Sequence, residues 1–238
     1  MQLCNTYYVL SQQSDYSGPD DTAIYDMSGN VIAMVPAAFA ADVCIEGSGA
    51  LSDGRRINFA GSCQYGPPCA TSGQPTCYEV LDAARYPWGK GGTGVPLVPF
   101  RSIATSPGTI PTGSCIYVPA WNGLQIPAVG GLGGFTHDGY FSADDTGGWI
   151  NGSHIDIFCG THAMNQAMER IFPTSYSGGS NGSCLSTFQA SIVDCSQVPG
   201  LPGSGGLFGS VSTGRAVVEA AAVGAAIAAG LWWWLKRR

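Results

Sequence analysis

Glycine and proline interrupt this chain so often that long regular elements have little room: 35 Gly and 15 Pro fall among its 238 residues. Gly weakens helix and strand interiors, and Pro lacks the backbone donor that both ladders need. The pattern therefore predicts short strands between turns, with candidates at residues 6–10, 31–35, 103–105, 115–118, 139–143 and 154–158. Such runs, bounded by turn residues, argue for a β-barrel or sandwich. Two local helices are predicted, at 37–43 and 163–171. Low charge with abundant Gly would also suit a disordered chain. Against that, aromatic residues make up 11% and Val and Ile are scattered throughout, enough to bury a core.

The formal net charge is -6, and no Lys/Arg cluster occurs before the last three residues. Phosphate contacts need clustered cations, so nucleic acid is not expected as a partner. Nine cysteines, none in a CxxC pair, favour disulfides over a zinc site and hence an oxidising compartment. The odd number leaves at least one thiol unpaired in a monomer. The opening MQLCNTYYVL has no basic segment and no long apolar stretch, so it does not read as a signal peptide. Delivery to an oxidising compartment then implies a re-cut start or another route.

Three regions follow from composition. Residues 1–172 read as the globular domain. Residues 173–214 are a Ser/Gly-rich linker, with Cys184 and Cys195 placed to pin its first half to the domain. Residues 215–238 form an apolar run that ends in Trp232-Trp233-Trp234-Leu235 and then Lys236-Arg237-Arg238. A helix of about 20 residues spans about 30 Å, one hydrocarbon core. Trp belongs at the interface and the basic end on the cytoplasmic side. The expectation is a single-pass C-terminal transmembrane helix, with the domain on the non-cytoplasmic side of a cell envelope or of a virion membrane.

The densest polar cluster lies between Thr136 and Asp156, with four carboxylates and two histidines in an otherwise charge-poor chain. Alternation along 154–158 sends Asp156 to the face opposite Ile155 and Ile157. If the isoleucines are buried, Asp156 points into a groove, where apolar surroundings would raise its pKa as a general acid requires. Asp138 and Asp144 read as ordinary turn residues beside glycine.

The stretch Ala143–Gly160, ADDTGGWINGSHIDIFCG, resembles the three-aspartate domain, a double-psi β-barrel similar to that of the membrane-bound lytic transglycosylase A family. Asp145, Gly147, Gly148, Ile150, Gly152, Ile155, Asp156, Phe158 and Gly160 all match its pattern. Upstream, Arg101–Ala104, Ile110–Gly113 and Val118-Pro119 resemble a further segment. Thr6-Tyr7-Tyr8 resembles the opening strand, and Glu46–Gly49 an internal turn. The resemblance implies a mainly β fold: a six-stranded double-psi barrel with long Gly/Pro-rich loops. It implies cleavage of the MurNAc–GlcNAc bond of peptidoglycan glycan strands to a 1,6-anhydro product, with no cofactor and no metal. Asp156 falls at the position of the catalytic acid. Asp145, His137 and Glu46 are expected to support the site and bind substrate. One departure is visible: the first family aspartate should follow Ile103-Ala104, where this chain has Thr105.

Two other readings have sequence support. His137 and Asp144, seven apart, approach the H-x-x-G-x-A-x-D ligand motif of zinc peptidases acting on wall peptides, with the Gly and Ala displaced. A non-catalytic, expansin-like glycan-binding barrel would share the fold, and Thr105 in place of an aspartate suits it. A virion or envelope protein carrying a wall-opening domain on a membrane tail is compatible with catalysis.

Overall fold

A computed structural model describes residues 1–198. The expected membrane span at 215–238 and the second half of the linker lie outside the described residues. Among the described residues no helix is long and apolar enough to cross a membrane.

The chain is mainly β, with few helices. In chain order the strands are β1 (Gln2–Val9), β2 (Ser11–Gln12), β3 (Asp20–Tyr25), β4 (Val31–Pro36), β5 (Ser48–Ala50), β6 (Arg56–Ser62), β7 (Thr76–Leu81), β8 (Ser102–Ala104), β9 (Cys115–Ile126), β10 (Phe135–Asp145), β11 (His154–Gly160), β12 (Tyr176–Ser177), β13 (Ser183–Cys184), β14 (Phe188–Gln189) and β15 (Ser191–Val193). Helix α1 covers Ala37–Glu46 and α2 covers His162–Met168. Both predicted helices form: α1 runs three residues past the expected end, and α2 stops three residues short of it.

Seven strands make one sheet, in the order β14-β1-β11-β8-β10-β9-β15. It is barrel-like and nearly closed, because β14 at one end returns to pack against β9 near the other. Two neighbouring pairs are parallel, β1 with β11 and β8 with β10. The inner face holds the main core: Tyr7 and Val9 from β1, Ile103 from β8, Trp121 from β9, Phe141 and Ala143 from β10, and Ile155 and Ile157 from β11.

Residues between β1 and β8 build a second lobe that the sequence showed only in part. Strands β2, β5, β6 and β7 form a four-stranded sheet, and β3 and β4 a hairpin. The α1 helix packs Phe39 and Val43 onto Ile24, Val35, Ile57 and Tyr78 in a separate core. Gly47, in the left-handed conformation, ends α1 and turns the chain directly into β5.

Four disulfides staple this framework: Cys4–Cys184, Cys44–Cys69, Cys63–Cys77 and Cys115–Cys195. The ninth thiol, Cys159, is free and buried in the core. Residues 173–198 are therefore fastened to the barrel, with Cys184 joined to β1 and Cys195 to β9. Their short strands β14 and β15 complete the two ends of the main sheet.

Candidate active site

Register brings the site together. On the outer face of the sheet, Thr6 of β1 stands opposite Asp156 of β11, Asp156 opposite Ala104 of β8, and Ala104 opposite Asp145 of β10. Four residues from distant parts of the sequence thus share one row. Asp156 takes the face opposite Ile155 and Ile157, as alternation requires. Asp145 reaches the row through a bulge. The pairing of β10 with β8 slips between Ala143 and Asp145, so the extra residue, Asp144, has no partner on β8. Asp144 sinks instead onto the Ser102 and Ser142 hydroxyls, each 2.6 Å away.

The row floors a groove of about 940 Å³ between the barrel and the second lobe. Tyr8, Ala104, Asp145 and Asp156 line its base. The loop Gly147-Gly148-Trp149-Ile150 and, from the second lobe, Glu46, Ser48, Asn58 and Phe59 line its sides. Phe59 is 49% exposed, so an aromatic face stands open to whatever occupies the groove. Among the described residues, Lys90, paired with Glu79, is the one cation in the lining.

Asp156 is half-buried. Its Oδ1 accepts a 2.8 Å hydrogen bond from the Thr6 hydroxyl. Burial raises its pKa from the ordinary 3.8 to about 7; the Thr6 bond opposes this, and the charge of Asp145 reinforces it. Asp145 is also raised, chiefly by burial. Backbone N–H groups of Gly92 and Thr146, both 2.8 Å from its Oδ1, pull in the opposite direction by favouring the carboxylate. The turn around Gly91 and Gly92 can lie this close only because it lacks side chains: a Cβ on Gly91 would stand 2.4 Å from the Asp144 carbonyl. The Tyr8 hydroxyl is buried at the groove floor beside Asp145, where it too favours the carboxylate. At the groove's edge, Glu46 accepts from the Val9 N–H at 2.7 Å, and burial raises its pKa to about 8.

The structure brings Asp156, Asp145 and Glu46 to one groove, and it excludes His137. That ring is packed in the main core against Trp121 and Phe141, with Nε2 2.7 Å from the Phe100 carbonyl, and burial lowers its pKa to about 4. The cause is strand parity: His137 shares a face with Phe141 and Ala143, before the bulge that turns Asp145 outward. His137 and Asp144 are thus separately occupied in structural bonds, and among the described residues no three His, Cys, Asp or Glu side chains converge as metal ligands. Asp138 forms a two-pronged ion pair with Arg101. Thr105 is buried away from the groove, donating to the Ile110 carbonyl at 3.2 Å.

Sequence reasoning overlooked the Trp88–Gly94 turn, which clasps Asp145, and Phe59. The run Trp-Gly-Lys-Gly-Gly-Thr-Gly was the available signal for the first. The bulge with its aspartates, and Asp156 on the neighbouring strand, coincide with a known sequence pattern, whereas Thr6 and the clasping loop lie outside it. Residues 101–169 match the 3D domain family. The resemblance read from residues 143–160 thus holds for this stretch, and Ser102, Asp144, Asp145 and Asp156 all lie within the 3D domain. No curated protein matches the chain as a whole. Among solved structures, Escherichia coli MltA with bound chitohexaose is similar at 16% identity and a TM-score of 0.49, covering 70% of this chain and 68% of that one. A membrane-bound lytic murein transglycosylase from Agrobacterium tumefaciens gives 14% identity and 0.47, over 80% and 72%. The lytic transglycosylase LtgG of Burkholderia pseudomallei gives 18% and 0.40, over 72% and 68%.

Proposed function

We propose that this chain is a peptidoglycan lytic transglycosylase whose catalytic residue is Asp156. One observation carries the reading: at the groove floor Asp156, set by burial to a pKa of about 7, can act in both protonation states near neutrality, while its neighbour Asp145 is tied to two backbone N–H groups. Ordinary glycosidases divide acid and nucleophile between two carboxylates. Here the substrate supplies the nucleophile. Asp156 gives its proton to the glycosidic oxygen leaving C1 of the muramic acid, and the C1–O bond breaks. The C6 hydroxyl of the same sugar then bonds to C1 and returns its proton to Asp156. The product is a 1,6-anhydro sugar, and the acid is restored without water.

Asp145, fixed by two N–H donors, provides negative charge beside the cationic transition state. Phe59 and Trp149 offer aromatic faces for sugar rings. Glu46, predominantly protonated below pH 8, serves as a hydrogen-bond donor to sugar hydroxyls. The parallel pairs β1–β11 and β8–β10 suit a double-psi barrel, and four disulfides suit an oxidising envelope compartment. There the domain acts on the non-cytoplasmic side, and residues 215–238 anchor it to a membrane.

The test is mass spectrometry of muropeptides after incubation of sacculi with the full chain. Anhydro-muropeptides support the reading. Reducing-end sugars would make the protein a hydrolase, and strands that bind without being cut would make it a glycan-binding barrel.

A further inference from the structure

The groove proposed to hold glycan is rich in acids. Glu46, Glu79, Asp145 and Asp156 all line it, and among the described residues Lys90 alone opposes them. A cleft of that sign repels an acidic ligand unless a cation compensates. Lys90 is placed to do so. It directly precedes Gly91 and Gly92 in the turn that clasps Asp145, so its main chain runs at the edge of the groove floor. Its ammonium reaches Glu79 of β7 on the second lobe and forms an ion pair there.

A purely structural pair would be needed to hold the turn, but the turn is held by other bonds. The Asn58 side chain grips Lys90 by its main chain: the Lys90 N–H donates to Oδ1 at 2.9 Å, and Nδ2 donates to the Lys90 carbonyl at 3.1 Å. The Ser48 hydroxyl donates to the same Oδ1 at 2.6 Å, and both Ser48 and Asn58 are buried. None of these bonds uses the Lys90 side chain. The ion pair itself stays partly exposed on both sides, where such pairs add little stability. An ammonium has three donors, and Glu79 is its one hydrogen-bond partner among the described residues. Two donors are thus left for a ligand.

We propose that Lys90 is a specificity-determining residue that binds the carboxylate of the 3-O-lactyl group of muramic acid, with Glu79 holding the ammonium in place and competing for it. The assignment rests on the peptidoglycan reading above and names the part of the strand that is read. In such a strand N-acetylglucosamine is neutral, and muramic acid differs from it by a lactic acid ether at O3. That acid is a free carboxylate in strands stripped of their peptides and an amide in strands that carry them. The aromatic faces of Phe59 and Trp149 meet either sugar alike, whereas a cation separates a wall strand from a neutral one. The lactyl group recurs on every second sugar, so its recognition also sets the register: it selects which of the two alternating glycosidic bonds meets Asp156.

The test is calorimetric titration of the full chain, carrying Asp156→Asn to prevent turnover, with three probes: peptide-stripped glycan oligomers, peptide-bearing oligomers and chitohexaose, which has no lactyl group. Lys90→Gln should weaken binding of the stripped oligomers by about 5- to 20-fold, the range of a charged hydrogen bond, and leave chitohexaose unchanged. Glu79→Gln removes the competitor and should tighten the stripped oligomers. The opposite signs are the signature, because a merely structural pair would make the two variants act alike. Added salt should erode the preference for stripped oligomers over chitohexaose while Lys90 is present, and have little effect on it in Lys90→Gln. Equal losses for stripped oligomers and chitohexaose, no loss at all, or weakening by Glu79→Gln overturns the proposal. A loss confined to peptide-bearing oligomers overturns the lactyl assignment and moves the contact to a peptide carboxylate. If Lys90→Gln does not fold, the direction of the Glu79→Gln effect decides. A protein with the expected binding pattern, whose unmodified form releases no anhydro-muropeptides, refutes the transglycosylase reading and leaves the lactyl contact standing. Release of anhydro-muropeptides together with an inert Lys90→Gln refutes the contact alone.

Discussion

Replacing Asp156 by Asn should abolish activity and yet stabilise the fold, by an amount that depends on pH. The side chains are nearly isosteric, and Asn can still accept the Thr6 hydrogen bond through its oxygen. Activity should fall by more than the ~10²–10⁴-fold of one acid–base contribution, because the same group serves as acid and as base. Stability follows from linkage. The folded-state pKa of about 7 lies above the ordinary 3.8, so the native protein binds the extra proton between these values. Wild-type stability therefore falls as pH rises through roughly 4 to 7, and levels off above. A difference of roughly three units, at ~1.36 kcal/mol each, makes about 4 kcal/mol the upper limit of the penalty. Groove water screens part of it, since Asp156 is not fully enclosed. Asn carries no such penalty. The variant should match the wild type near pH 4 and exceed its melting temperature above pH 7.5, by at most about 8–15 °C for a domain of this size. Thermal melts of both proteins across pH 4–9, alongside muropeptide analysis, measure the two effects. A constant offset at all pH values would refute the raised pKa, and substantial retained cleavage would refute the catalytic assignment.

Asp138→Asn should weaken only the pair with Arg101, costing about 1 kcal/mol in chemical denaturation and leaving turnover unchanged. Gly91→Ala should disrupt the turn that clasps Asp145, because its new methyl would meet the Asp144 carbonyl; a large loss of kcat in a protein that retains its circular dichroism is the expected result. Phe59→Ala should raise KM for glycan strands several-fold and leave kcat nearly intact, since a stacking platform binds ground and transition states alike. Cys184→Ser should cost about 2–4 kcal/mol of stability in denaturant titrations, its disulfide spanning 180 residues. Activity should persist in EDTA, as measured by anhydro-muropeptide release.

What could be read from the sequence was local. The alternation Ile155, Asp156, Ile157 placed the acid on the outer face, because one strand's pleat needs no knowledge of its partners. His137 entered through the resemblance alone, although its parity with Phe141 and Ala143 marks it as core. What reverses the parity for Asp145 is a slip against β8, a relation between strands about 40 residues apart, and no single-strand pattern contains it. The second lobe was hard to see because its strands are cut by Gly and Pro and because its core draws single residues from each. Glu46 reached the groove through the loose likeness of its Gly-Ser-Gly neighbours, whereas Phe59 and the Trp88–Gly94 turn, lacking any such pattern, went unnoticed.

The row Thr6–Asp156–Ala104–Asp145 has a consequence for biosynthesis. Thr6 and Asp156 are 150 residues apart, and the parallel pairing that joins them is among the least local contacts in the molecule. Contacts of this kind form late, after the cost of closing a long loop has been met. A nascent chain displays Thr6 and Tyr8 long before Asp156 has been translated, and the disulfide that fastens β1 waits for Cys184 to find Cys4. The proposed wall-cutting centre would thus stay latent in any incomplete or still-reduced chain, with its own topology acting as the safety catch.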